Sequence, residues 1–257
     1  MGKVISVILP KGGVGKTTSA VNLAIKFAER NFKTLIIDLD PTASCSHSLG
    51  FNEENVFGDV FDVFSYSKTI DKVIHSTEVE NLFCIPQMKL NSIEEGRQSR
   101  LMANNFLLRN IINSIKANFE FIIFDCPPYL FGTTSLALIA SDSVIVPIRT
   151  DEYSLDAIKT LAKRVEYVRT LYNNNLTIDG IFLTVYERNI KAAFKVKSEL
   201  YKKYPSLMMN VSIPKDVNMM NATFSKKPLC LILPKSRASL AYKELASELI
   251  TKYNLLF

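Results

Sequence analysis

The ten residues LPKGGVGKTT at positions 9–18 constrain the fold of this chain more than any other segment. Before them, residues 4–9 form a short run of apolar and β-branched side chains, which is typical of a buried parallel strand. After them, apolar residues recur at helical spacing at positions 21, 24, 25 and 28. A glycine-rich turn therefore joins a buried strand to the beginning of a helix.

A turn in this position presents consecutive backbone N–H groups to a ligand, and the dipole of the following helix favours negative charge there. We therefore predict that the turn binds a polyphosphate. Lys16 supplies a positive charge for the outer phosphates, and the hydroxyl of Thr17 is placed to hold Mg²⁺. The residues predicted to contact the ligand form one continuous stretch: Lys11, Gly12, Gly13, Val14, Gly15, Lys16, Thr17 and Thr18.

Apolar segments suited to strands alternate with amphipathic segments along the chain. The predicted strands are residues 4–9, 34–39, 82–85, 121–124, 143–148, 180–185, 209–213 and 229–233. Apolar strands separated by helices indicate an α/β fold with a doubly wound, mainly parallel sheet flanked by helices. Ligands bind at the carboxyl ends of the strands in such sheets, where the turn, Asp38, Asp40 and Asp125 should converge. Residues 50–80 match no strong pattern and are expected to form a peripheral helical excursion.

The composition places limits on the class of protein. The chain has 257 residues, and no repeat or linker rich in Pro, Gly or Ser divides it. We expect one domain over residues 1–257, without an N-terminal helix-turn-helix extension. No apolar run approaches the ~18 residues that span a bilayer. The four cysteines lack a Cys-x-x-Cys pair, which favours the cytoplasm over an oxidising compartment.

The glycine-rich turn departs from the usual phosphate-binding loop in one respect. Pro10 stands where a glycine is common, and a second lysine, Lys11, follows it. This variant resembles the deviant Walker A motif of the ParA/MinD ATPases, and the resemblance extends along the whole chain. Its further landmarks are DLDP at 38–41, FDCPP at 124–128, VIVP at 144–147, IP at 213–214, KSR at 235–237 and AY at 241–242.

The resemblance implies a P-loop ATPase that uses ATP and Mg²⁺. It implies that two copies form a homodimer around ATP, with Lys11 of each copy reaching the phosphates of the other. Asp40 would orient the attacking water, and Asp125 would hold Mg²⁺ through water. Asp38 is expected beside the magnesium, in a less direct role. Family members usually carry Gln at the position of Thr42, so the hydrogen bonding of this segment stays open.

The resemblance also places Pro214 and Asp216 beside the purine. A carboxylate can accept a hydrogen bond from the amino group of either adenine or guanine, so Asp216 does not decide the base. It is equally well explained as a turn residue after a strand. The assignment of ATP therefore depends on the family resemblance alone.

The positive charge is concentrated in the second part of the chain. Residues 1–150 carry 14 Lys and Arg against 15 Asp and Glu, whereas residues 151–257 carry 17 against 10. On a helical projection, positions 191, 195 and 202 form a basic stripe beside an apolar stripe at 190, 194 and 201. The basic stripe fits contacts to DNA phosphates, and such contacts are independent of sequence and sensitive to salt. A solvated lysine-rich face is an equal alternative for the helical stripe. The predicted DNA-binding residues are Arg188, Lys191, Lys195, Lys202, Lys226, Lys227, Lys235 and Arg237.

Three functions are compatible with the family resemblance. The first is a DNA-partition ATPase, whose ATP-bound dimer binds DNA non-specifically until a ParB-type centromere-binding protein stimulates hydrolysis; it would associate with the nucleoid. The second is a MinD-like ATPase that cycles on and off a membrane, but residues 248–257 do not form the basic amphipathic tail that this requires. The third is an electron-transfer iron protein, which needs paired cysteines to bridge a cluster across the dimer. The sequence offers Cys126 but no second suitably placed cysteine. We favour the first and expect no membrane partner.

Overall fold

One mainly parallel sheet of eight strands organises the computed structural model, which describes residues 2–151 and 153–255, the side chain of Met220 excepted. The spatial order of the strands is β3-β4-β2-β5-β1-β6-β7-β8, and only the pairing of β3 with β4 is antiparallel. The strands are Lys3–Val7 (β1), Thr34–Asp38 (β2), His75–Ser76 (β3), Leu82–Ile85 (β4), Phe121–Asp125 (β5), Ser143–Arg149 (β6), Thr177–Tyr186 (β7) and Met208–Pro214 (β8).

Helices cover both faces of the sheet, as crossovers between parallel strands require. They are Lys16–Ala28 (α1), Ser44–Ser48 (α2), Val60–Phe64 (α3), Ser92–Leu101 (α4), Leu107–Asn113 (α5), Thr133–Ala140 (α6), Ser154–Leu171 (α7), Lys191–Lys203 (α8), Asn218–Phe224 (α9), Leu229–Ile232 (α10) and Arg237–Lys252 (α11). Two 3₁₀ turns, Ile70–Val73 and Lys116–Asn118, complete the regular structure of the described residues.

The core lies in two layers, one on each face of the sheet. On one face α1 and α11 bury their apolar sides against the central strands, and the rings of Phe27 and Phe121 stack with centroids 4.0 Å apart. On the other face α5, α6 and α7 supply a second apolar cluster. Strands β2 and β5 are buried along their whole length, which explains why they are apolar without alternation.

The strand register brings the predicted site residues to one edge. In the pairing of β2 with β5, Asp38 is opposite Asp125, and in the pairing of β1 with β5, Val7 is opposite Asp125. The segment after β1 is the glycine-rich turn. The turn and two of the three predicted carboxylates therefore leave the sheet side by side at its carboxyl edge.

The sequence prediction of the fold class is confirmed, and one predicted strand is wrong. Residues 229–233 do not form a strand, because Leu229–Ile232 is a short helix preceded by Pro228. Its Cys230 amide donates a hydrogen bond to Asn22 Oδ1 at 3.1 Å, which fixes the segment against α1. Residues 50–80 contain helical turns, as expected, but also the short strand β3. Among the described residues, no helix is both long and apolar enough to span a membrane.

Candidate phosphate-binding site

The glycine-rich turn leaves the N-terminus of α1 open to an external ligand. Gly15 is the N-cap of this helix and has a left-handed backbone conformation, with φ of 83° and ψ of 30°, which glycine adopts without steric cost. Within the described part of the chain no side chain caps the helix, so its first N–H groups have no side-chain acceptor there. An anion in front of α1 would satisfy them and interact favourably with the helix dipole.

Lys16 provides a buried positive charge at the same point. Its side chain is almost fully buried, and its Nζ donates a hydrogen bond to the carbonyl oxygen of Lys11 at 2.8 Å. Burial lowers the pKa of Lys16, and the nearby carboxylates of Asp125 and Asp40 offset part of that decrease. A phosphate ligand would add negative charge beside this ammonium group and would favour its charged form.

The end of β7 supports the turn from outside. The hydroxyl of Thr184 is buried and donates a hydrogen bond to the carbonyl oxygen of Val14 at 2.8 Å. The next residue, Val185, has a φ of 51°, a conformation that is strained for a β-branched side chain. Sequence patterns gave no sign of this contact, because Val14 and Thr184 are 170 residues apart.

Asp38 and Asp40 are both held by hydrogen bonds from the segment that follows β2. Asp38 Oδ2 accepts from the amide and the hydroxyl of Ser46 at 2.9 and 2.7 Å, and its Oδ1 accepts from the amide of Asp40 at 3.1 Å. Burial raises the pKa of Asp38 to about 6, although these hydrogen bonds favour its ionised form. Asp40 Oδ1 accepts from the amide of Thr42 at 2.9 Å, so Thr42 takes part in this segment through its backbone.

Asp125 differs from these two carboxylates because it has no such support. It is fully buried, and neither of its oxygens has a hydrogen-bond partner of ordinary geometry within the part of the chain that the structure describes. Burial raises the pKa of Asp125 well above its usual range and Asp38 adds to this, while the hydroxyl of Thr17 opposes it. An unpaired buried carboxylate beside a threonine hydroxyl suits a hard cation that keeps water and phosphate oxygens among its ligands, as Mg²⁺ does.

A cavity of about 570 Å³ opens beside the glycine-rich turn. It is lined by the turn and the first turns of α1, by Asp40 and α2, and by α9 with residues 226–229. Among the described residues, no group of three or more His, Cys, Asp or Glu side chains could hold a metal ion by itself. A cation here would need oxygen atoms from a bound phosphate.

Comparisons with known proteins agree with this geometry. A family described as "AAA domain" matches residues 2–178. The sporulation initiation inhibitor protein Soj of Bacillus subtilis is 33% identical over 248 residues, which cover 96% of this chain and 98% of Soj. The chromosome partitioning protein ParA of Myxococcus xanthus is 30% identical over 252 residues, covering 98% and 89%. The chain belongs to the ParA/MinD family of ATPases.

A solved structure of a family member agrees with the same assignment. The septum site-determining protein MinD of Pyrococcus horikoshii, determined in complex with Mg-ADP, superposes with a TM-score of 0.76. It is 25% identical, and the match covers 99% of this chain and 98% of MinD. The sequence prediction of a ParA/MinD ATPase is therefore confirmed.

The family lysine Lys11 does not face the cavity of its own copy. It is not among the residues that line the described cavity, and its Nζ forms an ion pair with Asp151 in the connection between β6 and α7. The Nζ also lies 5.8 Å from the centroid of the Tyr153 ring. The described contacts of the Lys11 side chain are therefore with the connection between β6 and α7.

The predicted purine contacts lie apart from the cavity wall. Pro214 ends β8, and Asp216 Oδ1 accepts hydrogen bonds from the backbone and side chain of Asn218 at 3.0 and 2.9 Å. Neither residue lines the described part of the cavity. The lining residues to which the sequence assigned no ligand or DNA contact are Val21, Asn22, Thr42, Ser44, His47, Ser48, Pro128, Val185, Met219, Ala222, Thr223, Pro228 and Leu229. The base contact remains a prediction.

The predicted DNA-binding residues separate into two groups. Lys226 and Lys227 line the cavity. The others are exposed and lie outside it: Arg188, Lys191, Lys195, Lys202, Lys235 and Arg237. The apolar neighbours Ile190, the N-cap of α8, and Phe194 are also exposed, at 44% and 65%. Tyr201 is half-buried, and its hydroxyl donates a hydrogen bond to the carbonyl oxygen of Met209 at 3.0 Å. The first turns of α8 therefore present an external surface.

Proposed function

We propose that this protein is a ParA-type DNA-partition ATPase that binds ATP and Mg²⁺ in the cavity in front of α1. Two copies would close around ATP as a homodimer, and the dimer would bind DNA without sequence preference. A ParB-type centromere-binding protein would stimulate hydrolysis and release. The protein would then be cytoplasmic and associated with the nucleoid through DNA.

One observation carries the nucleotide part of this proposal. The buried ammonium group of Lys16 and the unpaired carboxylate of Asp125 both belong to the site that begins at the open N-terminus of α1. Each of these groups is costly to bury alone. A magnesium-bound triphosphate would offset both costs, because phosphate oxygens pair with Lys16 and the cation pairs with Asp125.

The roles of the residues follow from their positions. Lys16 would bind the outer phosphates, and the backbone of residues 13–18 would surround them. Thr17 and Asp125 would hold Mg²⁺, which neutralises phosphate charge when it is bound. Asp40, at the cavity wall, would orient the attacking water. Asp38 would position α2 through Ser46 and would stay beside the magnesium without contacting it.

Transfer of the γ-phosphoryl group to water needs further positive charge. Lys11 of the second copy would supply it by entering the cavity, in the manner of an arginine finger provided in trans. Removal of the γ-phosphate would end that contact and open the dimer. The nucleotide would thereby control whether the basic surfaces of the two copies are held together in one dimer that can bind DNA.

The DNA-binding surface in this proposal combines exposed cations from the second part of the chain. Arg188 precedes α8, and Lys191, Lys195 and Lys202 lie on it. Lys235 and Arg237 lie at the beginning of α11, where a phosphate would offset the unfavourable position of cations at a helix N-terminus. Such contacts give affinity that decreases steeply with salt.

A mobility-shift assay with duplex DNA tests the proposal. It compares ATP, ADP and no nucleotide at salt concentrations from 50 to 200 mM. We expect retardation with ATP alone, and a loss of affinity of at least about tenfold across the salt range, because several phosphate contacts are broken. Equal retardation in all three nucleotide states, or none in any, would contradict the DNA part of the proposal. Vesicle binding that requires ATP, without DNA binding, would favour a MinD-like membrane cycle instead.

A further inference from the structure

The geometry points to a resting position for Lys11. We propose that Asp151 holds Lys11 in the single copy, so that Lys11 must leave Asp151 before it can serve the second copy. Asp151 would thus raise the protein concentration that is needed to form the ATP-bound dimer. This inference rests on the proposed function, since it gives a control step to the same site.

The contacts around Lys11 support this role. Its Nζ forms both an ion pair and a hydrogen bond with Asp151 Oδ1. The side chains of Lys11 and Asp151 are 22% and 39% exposed, so the pair is only partly screened by water. The Nζ also lies 5.8 Å from the centroid of the Tyr153 ring. The carboxylate and the aromatic ring both attract the ammonium group.

Asp151 is itself fixed in place. The hydroxyl of Ser154 lies 2.8 Å from Asp151 Oδ1 and also within reach of the carbonyl oxygen of Arg149, so its single proton is shared between these two acceptors. Partial burial favours the neutral acid, but the hydrogen bonds from Lys11 and Ser154 hold the pKa of Asp151 below its usual range. The carboxylate that faces Lys11 is therefore ionised and oriented before any partner arrives.

The position of the pair explains why it would control dimer formation. Lys11 and Lys16 are five residues apart in one turn, yet only Lys16 lines the cavity of its own copy. The Lys11 ammonium group has to exchange one carboxylate for the phosphates of another copy. ATP offers Lys11 a γ-phosphate that ADP lacks, so ATP competes with Asp151 for Lys11 more strongly than ADP does.

Two measurements test the inference in wild type, Asp151→Asn and a matched control, Asp156→Asn. Asp156 lies on α7 and forms an exposed ion pair with Lys159 at 2.7 Å, and it has no role in the proposed site. The first measurement is the rate at which an acetylating reagent modifies each lysine of the nucleotide-free protein, read by mass spectrometry. We expect Lys11 to react about threefold to fivefold faster in Asp151→Asn, as the loss of a partly exposed ion pair implies, with the other lysines unchanged.

The second measurement is the protein concentration at half-dimerisation with Mg²⁺ and a non-hydrolysable ATP analogue. It should decrease by about threefold to fivefold in Asp151→Asn and stay unchanged in Asp156→Asn, with equal melting temperatures showing that folding is intact. Equal labelling of Lys11, or dimerisation that is unchanged or weaker, would overturn the inference. If Lys11 is labelled faster in Asp151→Asn but neither wild type nor any variant dimerises, the proposed dimer is wrong. The inferred control of dimer formation by Asp151 would then be wrong as well.

Discussion

Asp125 is the residue whose environment most clearly indicates a ligand. Among the described residues, Asp125 has no hydrogen-bond partner of ordinary geometry, although the Thr17 hydroxyl is close enough to favour its ionised form. A buried carboxylate in this situation costs about 1–3 kcal/mol relative to one that is satisfied. Asp38, its neighbour across β2 and β5, avoids that cost through Ser46 and the amide of Asp40. The fold therefore tolerates an instability at Asp125 that binding of a cation would remove.

Replacement of Asp125 by asparagine should stabilise the nucleotide-free protein. We expect the melting temperature at pH 7.5 to increase by about 3–6 °C, because the variant avoids both the burial of a carboxylate charge and the proton uptake that would neutralise it. Addition of Mg²⁺ and ATP should raise the melting temperature of wild type but not that of the variant. The control Asp142→Asn removes a carboxylate that pairs with Lys116 at 2.8 Å, and it should lower the melting temperature instead. Destabilisation by Asp125→Asn would contradict this account of the site.

The same carboxylates predict how stability depends on pH. The pKa of Asp125 is raised, and that of Asp38 is raised to about 6, whereas an unfolded chain releases these protons near pH 3.9. The native state thus binds protons that the unfolded state has lost, so stability increases as the pH falls from 7.5 toward 5. The advantage of Asp125→Asn should shrink over this interval. Calorimetry in parallel buffers at constant ionic strength measures it, and an advantage that grows on acidification would contradict the assignment.

Lys16 can be tested against another buried lysine on the same helix. Lys16→Ala should weaken ATP binding by about 100-fold, because charge-assisted hydrogen bonds to phosphate are lost. Lys26 is also buried on α1, but it pairs with Glu29 and does not line the cavity. Lys26→Ala should leave the ATP affinity unchanged. Equilibrium binding of a fluorescent ATP analogue measures both, and equal affinities in Lys16→Ala and wild type would refute the phosphate site.

At the scale of elements, the sequence predicted what local patterns determine. The strand, glycine-rich turn and helix around residues 4–28 are continuous in the chain, so their order could be predicted, as could the apolar strands of the central sheet. Residues 229–233 could not, because four or five apolar residues fit a strand and a buried helical turn equally well. Their conformation is set by Pro228 and by a hydrogen bond to Asn22, which is 208 residues from Cys230.

The candidate site shows the same division. The placement of Lys16, Asp40 and Asp125 at one sheet edge could be predicted, since each lies in the turn or close to the carboxyl end of a parallel strand. The lining of the cavity by α9 and the contact of Lys11 with Asp151 could not, because both depend on segments that are distant in the chain. The antiparallel pairing of His75–Ser76 with β4 also had too few residues to form a recognisable alternation.

The two groups of lysines in the second part of the chain should have separable effects. Replacement of Lys191, Lys195 and Lys202 by Glu should reduce DNA affinity by at least about 100-fold at low salt without changing ATP affinity, because phosphate contacts are replaced by repulsion. Replacement of Lys226 and Lys227 by Ala should weaken ATP binding, because both residues line the cavity. Paired DNA-shift and nucleotide-binding titrations measure both effects. Unaltered DNA affinity in the α8 variant would show that DNA binds to another surface of the protein.

At the scale of the whole molecule, the nucleotide site at the sheet edge would be completed only when two copies assemble. The cavity of one copy contains Lys16 and Asp40 but not the side chain of Lys11. Each copy would therefore hold a nucleotide yet lack one of the charges that hydrolysis needs. A second copy would complete the site, and the exposed basic helices of both copies would act together on DNA.

A mixing experiment tests most directly whether Lys11 of one copy completes the site of the other. Lys11→Ala keeps its own Asp40 but supplies no lysine to a partner, whereas Asp40→Ala supplies Lys11 but cannot orient water. Each variant alone should be inactive in release of labelled phosphate from ATP. An equimolar mixture should recover up to about a quarter of wild-type activity, because half of random dimers are mixed and one of their two sites is complete. A mixture that stays at the sum of the two separate variants, although both bind ATP, would show that Lys11 does not act on the second copy.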